Sequence, residues 1–408
     1  MRILLVTPMP PQLGAVGAIP VVLHAQLAGL TRRHKVTLVT VAGLEPGEQA
    51  AVDCLRSDGI EVHAIRRTEL RGLRRWQRRW QLGSTWLRGV YPWRTVWFWE
   101  PGLQDILDRL LAEERFDLVS VEDNSMGIYR YRTGLPIFLT EHEVRQSRPV
   151  NWRGLSGGEA VHWALAELDW KRWQRYQKNV WKQFDRIQVF TRRDAEAIGQ
   201  IAPDLANRVR VNPFGIHLPP QPDPGKEVDG ELLFVGNYTH PPNVDAALWL
   251  GREIVPRLRQ RFPAVCLTLV GIYPPESVRA LAGENIRVTG PVPEVEPYLE
   301  QAAVVLAPVR TGGGMRMKVL QAMAFGKAVV TTPLGADGME SSGQEPPLAI
   351  GEDTEQIVDL AAGLLANPPR RRALGKQARA FVEENYSVEA YTRRLEDVFI
   401  ELAEKKRD

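Results

Sequence analysis

The sequence has 408 residues, with 52 basic and 49 acidic side chains and a net charge of +3. Apolar content and charge are those of a soluble globular protein, and a net charge this small says little by itself about partners. The length excludes a single ordinary core and predicts two large domains. Cys54 and Cys266 have no His or Cys neighbours at metal-ligand spacing, so we expect reduced thiols in a cytoplasmic protein. We expect neither a secretion signal nor a membrane-spanning helix, because no apolar run reaches about 18 residues.

The chain opens with a βαβ pattern. Arg2 to Thr7 is an apolar run typical of a central parallel strand, and the loop after it contains Gly14 and Gly17. A helical pattern and a second apolar run follow within about forty residues. The glycine spacing is not G-x-G-x-x-G and no acidic residue ends the second strand, so a dinucleotide-binding dehydrogenase is the weaker interpretation.

Residues 65–99 combine nine arginines with six tryptophans. Arginine beside tryptophan suits an anionic membrane surface, where the ring lies at the interface and the cation meets phosphate. A solvated helix face with partly buried tryptophans is an equally open interpretation. No nucleic acid is expected, since no recognised binding motif accompanies the pattern.

A later apolar run ends in Glu141, His142 and Glu143. Polar residues at the carboxyl end of a parallel strand lie where ligands bind in such sheets. His142 is therefore a candidate site residue, although a lone histidine is more often structural.

The chain then becomes rich in proline and charge over 217–230, which predicts a linker between domains. We expect an N-terminal domain over 1–216, a C-terminal domain over 231–385 and a last helix over 386–408. The C-terminal domain opens with a strand, a loop at Gly236 and Asn237, and a helix from about Asn243.

The most informative stretch is 302–332. An apolar run from Ala302 to Val309 predicts a buried strand, three glycines follow at 312–314, and a helical pattern extends from about Met315 to Phe325. Glycines before a helix let backbone N–H groups approach a ligand, and Arg316 and Lys318 add positive potential, so the loop suits an anion. The alternative is a tight turn beside two solvated cations.

This stretch resembles nucleotide-sugar glycosyltransferases of the GT-B fold, of the retaining family 4 type (glycosyl transferases group 1). Residues 321–330 read Q-A-M-A-F-G-K-A-V-V, close to the family's E-A-M-A-x-G-x-P-V-V, and 312–318 fit its G-x-G-x-R-x-K variant. The family's two glutamates, eight residues apart, are replaced here by Gly313 and Gln321. The sequence L-T-E-H-E-V-R around His142 is similar to the family's strand-end histidine.

The resemblance implies two facing Rossmann-like, doubly wound α/β domains with a cleft between them. It implies transfer of a sugar from a nucleoside diphosphate sugar, with retention of configuration, to a glycan or lipid-linked acceptor held by the N-terminal domain. Neither a cofactor nor a metal is expected, and the last helix should cross back to the N-terminal domain. The setting would be polysaccharide biosynthesis in the cytoplasm, with residues 65–99 at the inner membrane face.

Roles for individual residues follow from the same resemblance. His142 would lie beside the donor sugar, and Arg316 and Lys318 beside the diphosphate. The remaining expected donor-site residues are Gly14, Gly17, Gly236, Asn237, Gly313, Gly314, Met315 and Gln321.

Two other functions stay open at this point. A nucleotide-sugar epimerase shares the double fold but needs paired carboxylates as acid and base. A non-catalytic nucleotide-sugar or anionic-surface binding protein is favoured by the loss of the acidic pair at Gly313 and Gln321.

Overall fold

The computed structural model describes residues 1–13, 18–43, 47–67, 80, 83–88, 91–145, 159–221, 223–312, 316–339 and 344–405. The chain divides into two compact units. The first unit comprises Met1–Asn212 together with Thr392–Asp408, and the second comprises Pro213–Tyr391.

The first unit is built on a parallel sheet of seven strands in the order β3-β2-β1-β4-β5-β6-β7. Its central strands are apolar on both faces and almost completely buried, as expected for a sheet covered by helices on both sides. The strands are β1 Arg2–Thr7, β2 Lys35–Ala42, β3 Glu61–Arg66, β4 Leu118–Glu122, β5 Ile137–Glu141, β6 Arg186–Val189 and β7 Val209–Val211.

The helices of this unit connect successive parallel strands. Thr191 caps one of them by accepting a hydrogen bond from the backbone N–H of Asp194. The α-helices are Ala18–Leu30, Glu48–Ser57, Trp93–Phe98, Pro101–Glu113, Glu159–Trp181 and Arg192–Ile201.

The last helix, Val388–Lys405, begins in the second unit and continues in the first. From Thr392 onward it packs on the first unit. Glu396 accepts a hydrogen bond from Arg33 at 2.7 Å, and the Phe399 ring meets Phe138 edge-on at 5.0 Å. These contacts hold the end of the chain against the first sheet.

The second unit repeats this design with six parallel strands in the order β10-β9-β8-β11-β12-β13. The strands are β8 Glu231–Val235, β9 Cys266–Val270, β10 Ile286–Gly290, β11 Val304–Ala307, β12 Ala328–Thr331 and β13 Ala349–Ile350. Its α-helices are Pro241–Trp249, Val255–Arg261, Glu276–Arg279, Glu296–Gln301, Met317–Ala324, Pro333–Ala336, Thr354–Ala366 and Pro368–Asn385.

The strand and helix around the predicted glycine loop are shorter than the sequence suggested. The strand covers Val304–Ala307 only, and the helix begins at Met317 because the backbone of Arg316 is still extended, with φ −89° and ψ 90°. The helix ends close to the predicted Phe325, which is its C-cap, and Gly326 follows with φ 63°.

Strand order reverses direction beside β1 in the first unit and beside β8 in the second. In doubly wound sheets, ligands bind at the carboxyl ends of the strands at such a switch point. The switch points lie between β1 and β4, and between β8 and β11. None of the helices in the described part of the chain has the length and apolar character needed to span a bilayer.

Candidate functional site

At the switch point of the second unit, the loop after β8 is closely packed against the loop after β9. The Gly236 N–H donates to the Val270 carbonyl at 2.9 Å. A Cβ on Gly271, whose φ is 156°, would lie 1.7 Å from the Gly236 oxygen, so this position requires glycine. Asn237 Oδ1 accepts from the backbone N–H and hydroxyl of Thr239, which fixes the turn.

Lys318 connects the helix Met317–Ala324 to this loop. Its Nζ donates to Asn243 Oδ1 and lies 4.4 Å from the centre of the Phe234 ring. Asn243 Nδ2 in turn donates to the Asn237 carbonyl at 2.7 Å. The ammonium group is thereby held at the carboxyl end of β8.

The Lys318 ammonium is poorly hydrated in this position. The residue as a whole is partly exposed, but burial is the main cause that lowers its pKa to about 7, and the charge of Arg316 is the second cause. A carboxylate would raise this pKa, whereas a second cation lowers it. A desolvated lysine beside an arginine is typical of a site that receives an anion.

Arg316 stands at the N-cap of the same helix. It is partly buried, and its Nη2 donates to the Gly312 carbonyl at 3.1 Å. Gly312 has φ 100°, a conformation that favours glycine. Arg310, which precedes Gly312 by two residues, is paired with a carboxylate. Its Nη2 and Nε donate to the two oxygens of Asp245, at 2.6 and 3.0 Å.

The structure brings Gly236, Asn237 and Lys318 together through Asn243. Gln321 is exposed on the helix that carries Lys318. The other predicted donor-site residues fall outside the described residues, so their placement stays a prediction; they are Gly14, Gly17, Gly313, Gly314 and Met315.

In the first unit, His142 directly follows β5 and its ring is almost covered, with 5% of the side chain exposed. Nε2 lies 3.2 Å from Glu122 Oε2, and the ring meets Phe190 edge-on at 5.3 Å. Glu122 ends the neighbouring strand β4 and is fully buried. If Nε2 donates to this carboxylate, Nδ1 of a neutral imidazole is left as an acceptor.

Glu122 itself is firmly held. Its Oε1 accepts from Gln26 Nε2 at 2.7 Å and from Thr140 Oγ1 at 3.0 Å. Because these neighbours fix one carboxylate oxygen, the other is directed to His142. Glu122 is therefore placed to set the orientation and tautomer of the imidazole.

Glu141, the residue before His142 in the chain, carries a second buried carboxyl group. Burial, and then the charge of Asp123, raises the pKa of Glu141 to about 8, although hydrogen bonds from Trp181 and Asn124 oppose the shift. Asn124 Nδ2 reaches both carboxyl oxygens, at 2.8 and 3.0 Å. Asp123 has φ 70°, a strained conformation for a residue other than glycine.

Sequence reasoning missed Glu122 and Asn243 as site residues. Glu122 is the polar end of the run V-S-V-E, so its position at the end of a buried strand was a usable signal. No local sequence pattern marked Asn243, because its side chain joins the site by accepting a hydrogen bond from Lys318, which lies 75 residues later in the chain.

Comparison with known proteins adds a family for the second unit. The sequence profile of the family Glycosyl transferases group 1 matches residues 229–367. Residues 229–367 thus form a glycosyl transferases group 1 domain. It contains β8, the Gly236 loop, Asn243 and Lys318, which are the parts of the site described above.

Curated relatives match over a similar length. A phosphatidyl-myo-inositol mannosyltransferase of Mycobacterium tuberculosis is 33% identical over 148 residues, which is 35% of this chain and 37% of that protein. An uncharacterized glycosyltransferase of Methanocaldococcus jannaschii is 32% identical over 89 residues, 22% of this chain and 23% of that protein. The matched segments therefore cover little more than a third of these relatives at most.

Solved structures match the chain over nearly its whole length. Sucrose-phosphate synthase from Thermosynechococcus elongatus has a TM-score of 0.68 at 16% identity, covering 99% of both chains. Anabaena HepE in complex with UDP has a TM-score of 0.65 at 13% identity, covering 98% of this chain and 100% of that one.

These likenesses confirm the predicted fold class of two parallel-sheet α/β domains, whose structural neighbours are GT-B glycosyltransferases. The group 1 domain supports the prediction of a glycosyltransferase enzyme.

Proposed function

We propose that this protein is a retaining glycosyltransferase of the family 4 type. It would transfer a sugar from a nucleoside diphosphate sugar, with the second unit holding the donor and the first unit holding the acceptor. The observation that carries the proposal is the desolvated Lys318, fixed at the Gly236 loop through Asn243 within the group 1 domain.

The chemistry assigned to Lys318 and Arg316 is electrostatic. As the bond to the sugar breaks, negative charge grows on the departing diphosphate, and preorganised donors stabilise it best where water is excluded. Lys318, whose pKa is about 7, becomes fully charged when a diphosphate lies beside it. The loss of the family's acidic pair at Gly313 and Gln321 leaves this cationic pair as the donor-binding feature.

His142 is proposed to lie beside the donor sugar. Glu122 orients the imidazole through Nε2, so Nδ1 or the backbone of His142 is the part that meets the substrate. In a retaining reaction the leaving diphosphate guides the acceptor hydroxyl, so the proposal requires neither a protein nucleophile nor a metal.

The acceptor is proposed to be a glycan or a lipid-linked saccharide at the cytoplasmic face of a membrane, in polysaccharide biosynthesis. The described part of residues 65–99 supports this, because Trp80, Leu87 and Trp93 are 74%, 72% and 46% exposed. Exposed large apolar residues beside arginines are typical of a surface that binds anionic lipid.

The test is incubation with a panel of nucleoside diphosphate sugars, with and without a membrane extract as acceptor, while released nucleoside diphosphate is measured. We expect one donor to be consumed, faster with extract, and its anomeric configuration to be retained in the product. Conversion of the donor to its epimer without diphosphate release would identify an epimerase. Binding of a donor without any turnover would identify a non-catalytic binding protein.

A further inference from the structure

The first unit contains a cavity that the proposed transfer does not use. Its volume is about 510 Å³, and it lies between the segment before helix Pro101–Glu113 and the loop after β4. Its walls combine aromatic rings with basic groups; the lining residues that matter here are Arg88, Tyr91, Trp99, Arg130 and Arg132.

The cavity has an excess of positive charge. In the described part of the chain, no salt bridge engages the guanidinium groups of Arg88, Arg130 or Arg132. Asp105 also lines the cavity, so three cations face one carboxylate. Arginine forks bind phosphate oxygens in pairs, which makes a phosphate group the fitting ligand.

The position of Arg130 is fixed by its backbone. Gln104 Oε1 accepts from the Arg130 N–H at 2.9 Å, and Gln104 Nε2 donates to the Arg130 carbonyl at 2.9 Å. Gln104 itself lies on helix Pro101–Glu113 and lines the cavity. The loop that carries Arg130 is therefore held to helix Pro101–Glu113 beside the cavity.

An exposed apolar surface adjoins the basic cavity. Leu87 precedes Arg88, and Trp93 lies two residues after Tyr91. Helix Glu159–Trp181 adds Leu165 and Leu168, which are 45% and 41% exposed. We call these four residues, Leu87, Trp93, Leu165 and Leu168, the apolar rim.

Asp169 holds the two parts of the apolar rim together. Its Oδ1 accepts from Trp86 Nε1 and from the Trp93 N–H, both at 2.7 Å. Arg172 also donates to the Trp86 carbonyl, and its guanidinium lies 4.2 Å from the Trp86 ring. These contacts fix the segments that carry the apolar rim, while the apolar side chains themselves stay exposed.

We propose that this cavity binds the phosphate headgroup of an anionic membrane lipid while the apolar rim enters the acyl boundary. A cluster of arginines alone would suit any soluble phosphate, but four exposed large apolar side chains beside it are stabilised only when they leave water. The inference rests on the membrane partner proposed above and adds Arg130 and Arg132, which lie outside residues 65–99.

The test is co-sedimentation of the full chain with phosphatidylcholine vesicles that contain or lack phosphatidylglycerol. We expect Arg130→Gln/Arg132→Gln to weaken binding to the anionic vesicles roughly tenfold or more. The matched control is Arg109→Gln/Arg115→Gln, which removes the same charge from exposed positions of the same unit and should change binding little. Equal losses in both double variants, or none in the first, would overturn the proposal.

A second arm separates a lipid headgroup from a free phosphate compound. Leu87→Ser should weaken vesicle binding while leaving calorimetric binding of glycerol 3-phosphate unchanged. If wild-type protein binds glycerol 3-phosphate through Arg130 and Arg132 but does not sediment with anionic vesicles, the ligand is a soluble phosphate and the lipid assignment is wrong. Nucleoside diphosphate calorimetry on the wild-type protein reports the donor site separately, so failure of one proposal leaves the other standing.

Discussion

The two units share a parallel sheet and a switch point, but the buried ionisable groups near these switch points are of opposite type, a lysine in the second unit and carboxyl groups in the first. In the second unit, burial lowers the pKa of Lys318 to about 7. In the first unit, burial raises the pKa of Glu141 to about 8, and Glu122 is fully buried against His142. The same topology therefore supports two different binding chemistries.

In the proposed transfer, this difference assigns a different part of the nucleotide sugar to each unit. A desolvated ammonium group gains most from a bound anion, because the anion supplies the missing counter-charge. Carboxyl and imidazole groups are instead suited to form hydrogen bonds with sugar hydroxyls. Fold alone does not make this distinction, since it depends on the side chains at the strand ends.

The largest expected effect is a loss of turnover when His142 of the first unit is replaced. We expect His142→Ala to lower turnover roughly 100-fold and to leave nucleoside diphosphate affinity within about twofold, because His142 is proposed to meet the sugar and not the phosphates. The measurement is steady-state kinetics with the donor identified in the panel, alongside calorimetry with the free nucleotide.

His63→Ala is the matched control for this variant. His63 also lies beside a glutamate, with Nε2 3.2 Å from Glu61, but it is on the edge strand β3 and away from a strand end. Turnover should be nearly normal in this control. Unchanged turnover in His142→Ala would show that His142, at the end of β5, is not part of the catalytic site.

A smaller expected effect is the uptake of a proton by Lys318 of the second unit when a diphosphate binds. The pKa of free Lys318 is about 7, and a bound diphosphate raises it, so binding at pH 8 should take up a proton. Below the free pKa the lysine is already charged and uptake vanishes, so affinity is greatest there and falls as the pH rises through 7 to 8.5. Calorimetry in two buffers with different heats of ionisation measures the uptake.

Lys318→Arg is the control for protonation of the nucleotide itself. Arginine stays charged throughout this range, so any uptake that remains in the variant belongs to the ligand. Equal proton uptake by wild type and variant would show that Lys318 is not the group that titrates.

Much of the second unit could be predicted from the sequence because its signals are local. The apolar runs that form β8 and β12, the glycines between elements and the stop at Gly326 all lie within a few residues of the structure they specify. The helix start was placed two residues early, since nothing in the sequence shows that Arg316 keeps an extended backbone.

The contacts that complete the sites could not be predicted, because they join distant parts of the chain. Glu122 reaches His142 only because β4 and β5 are neighbours in the sheet, and Gln26 reaches Glu122 from 96 residues away. The strength of desolvation at Lys318 likewise depends on Asn243 and the Phe234 ring packed around its ammonium group.

The central claim is that Lys318 and Arg316 hold the donor diphosphate, and calorimetry with the free nucleoside diphosphate tests it most directly. A charge-assisted contact to a buried phosphate contributes about 1.5–3 kcal/mol, so Lys318→Ala and Arg316→Ala should each weaken binding roughly tenfold to a hundredfold. Lys226→Ala is the control, because Lys226 is an exposed cation of the same unit that pairs with Glu300, and it should bind like the wild type. Wild-type affinity in both Lys318→Ala and Arg316→Ala would contradict the account and place the donor elsewhere.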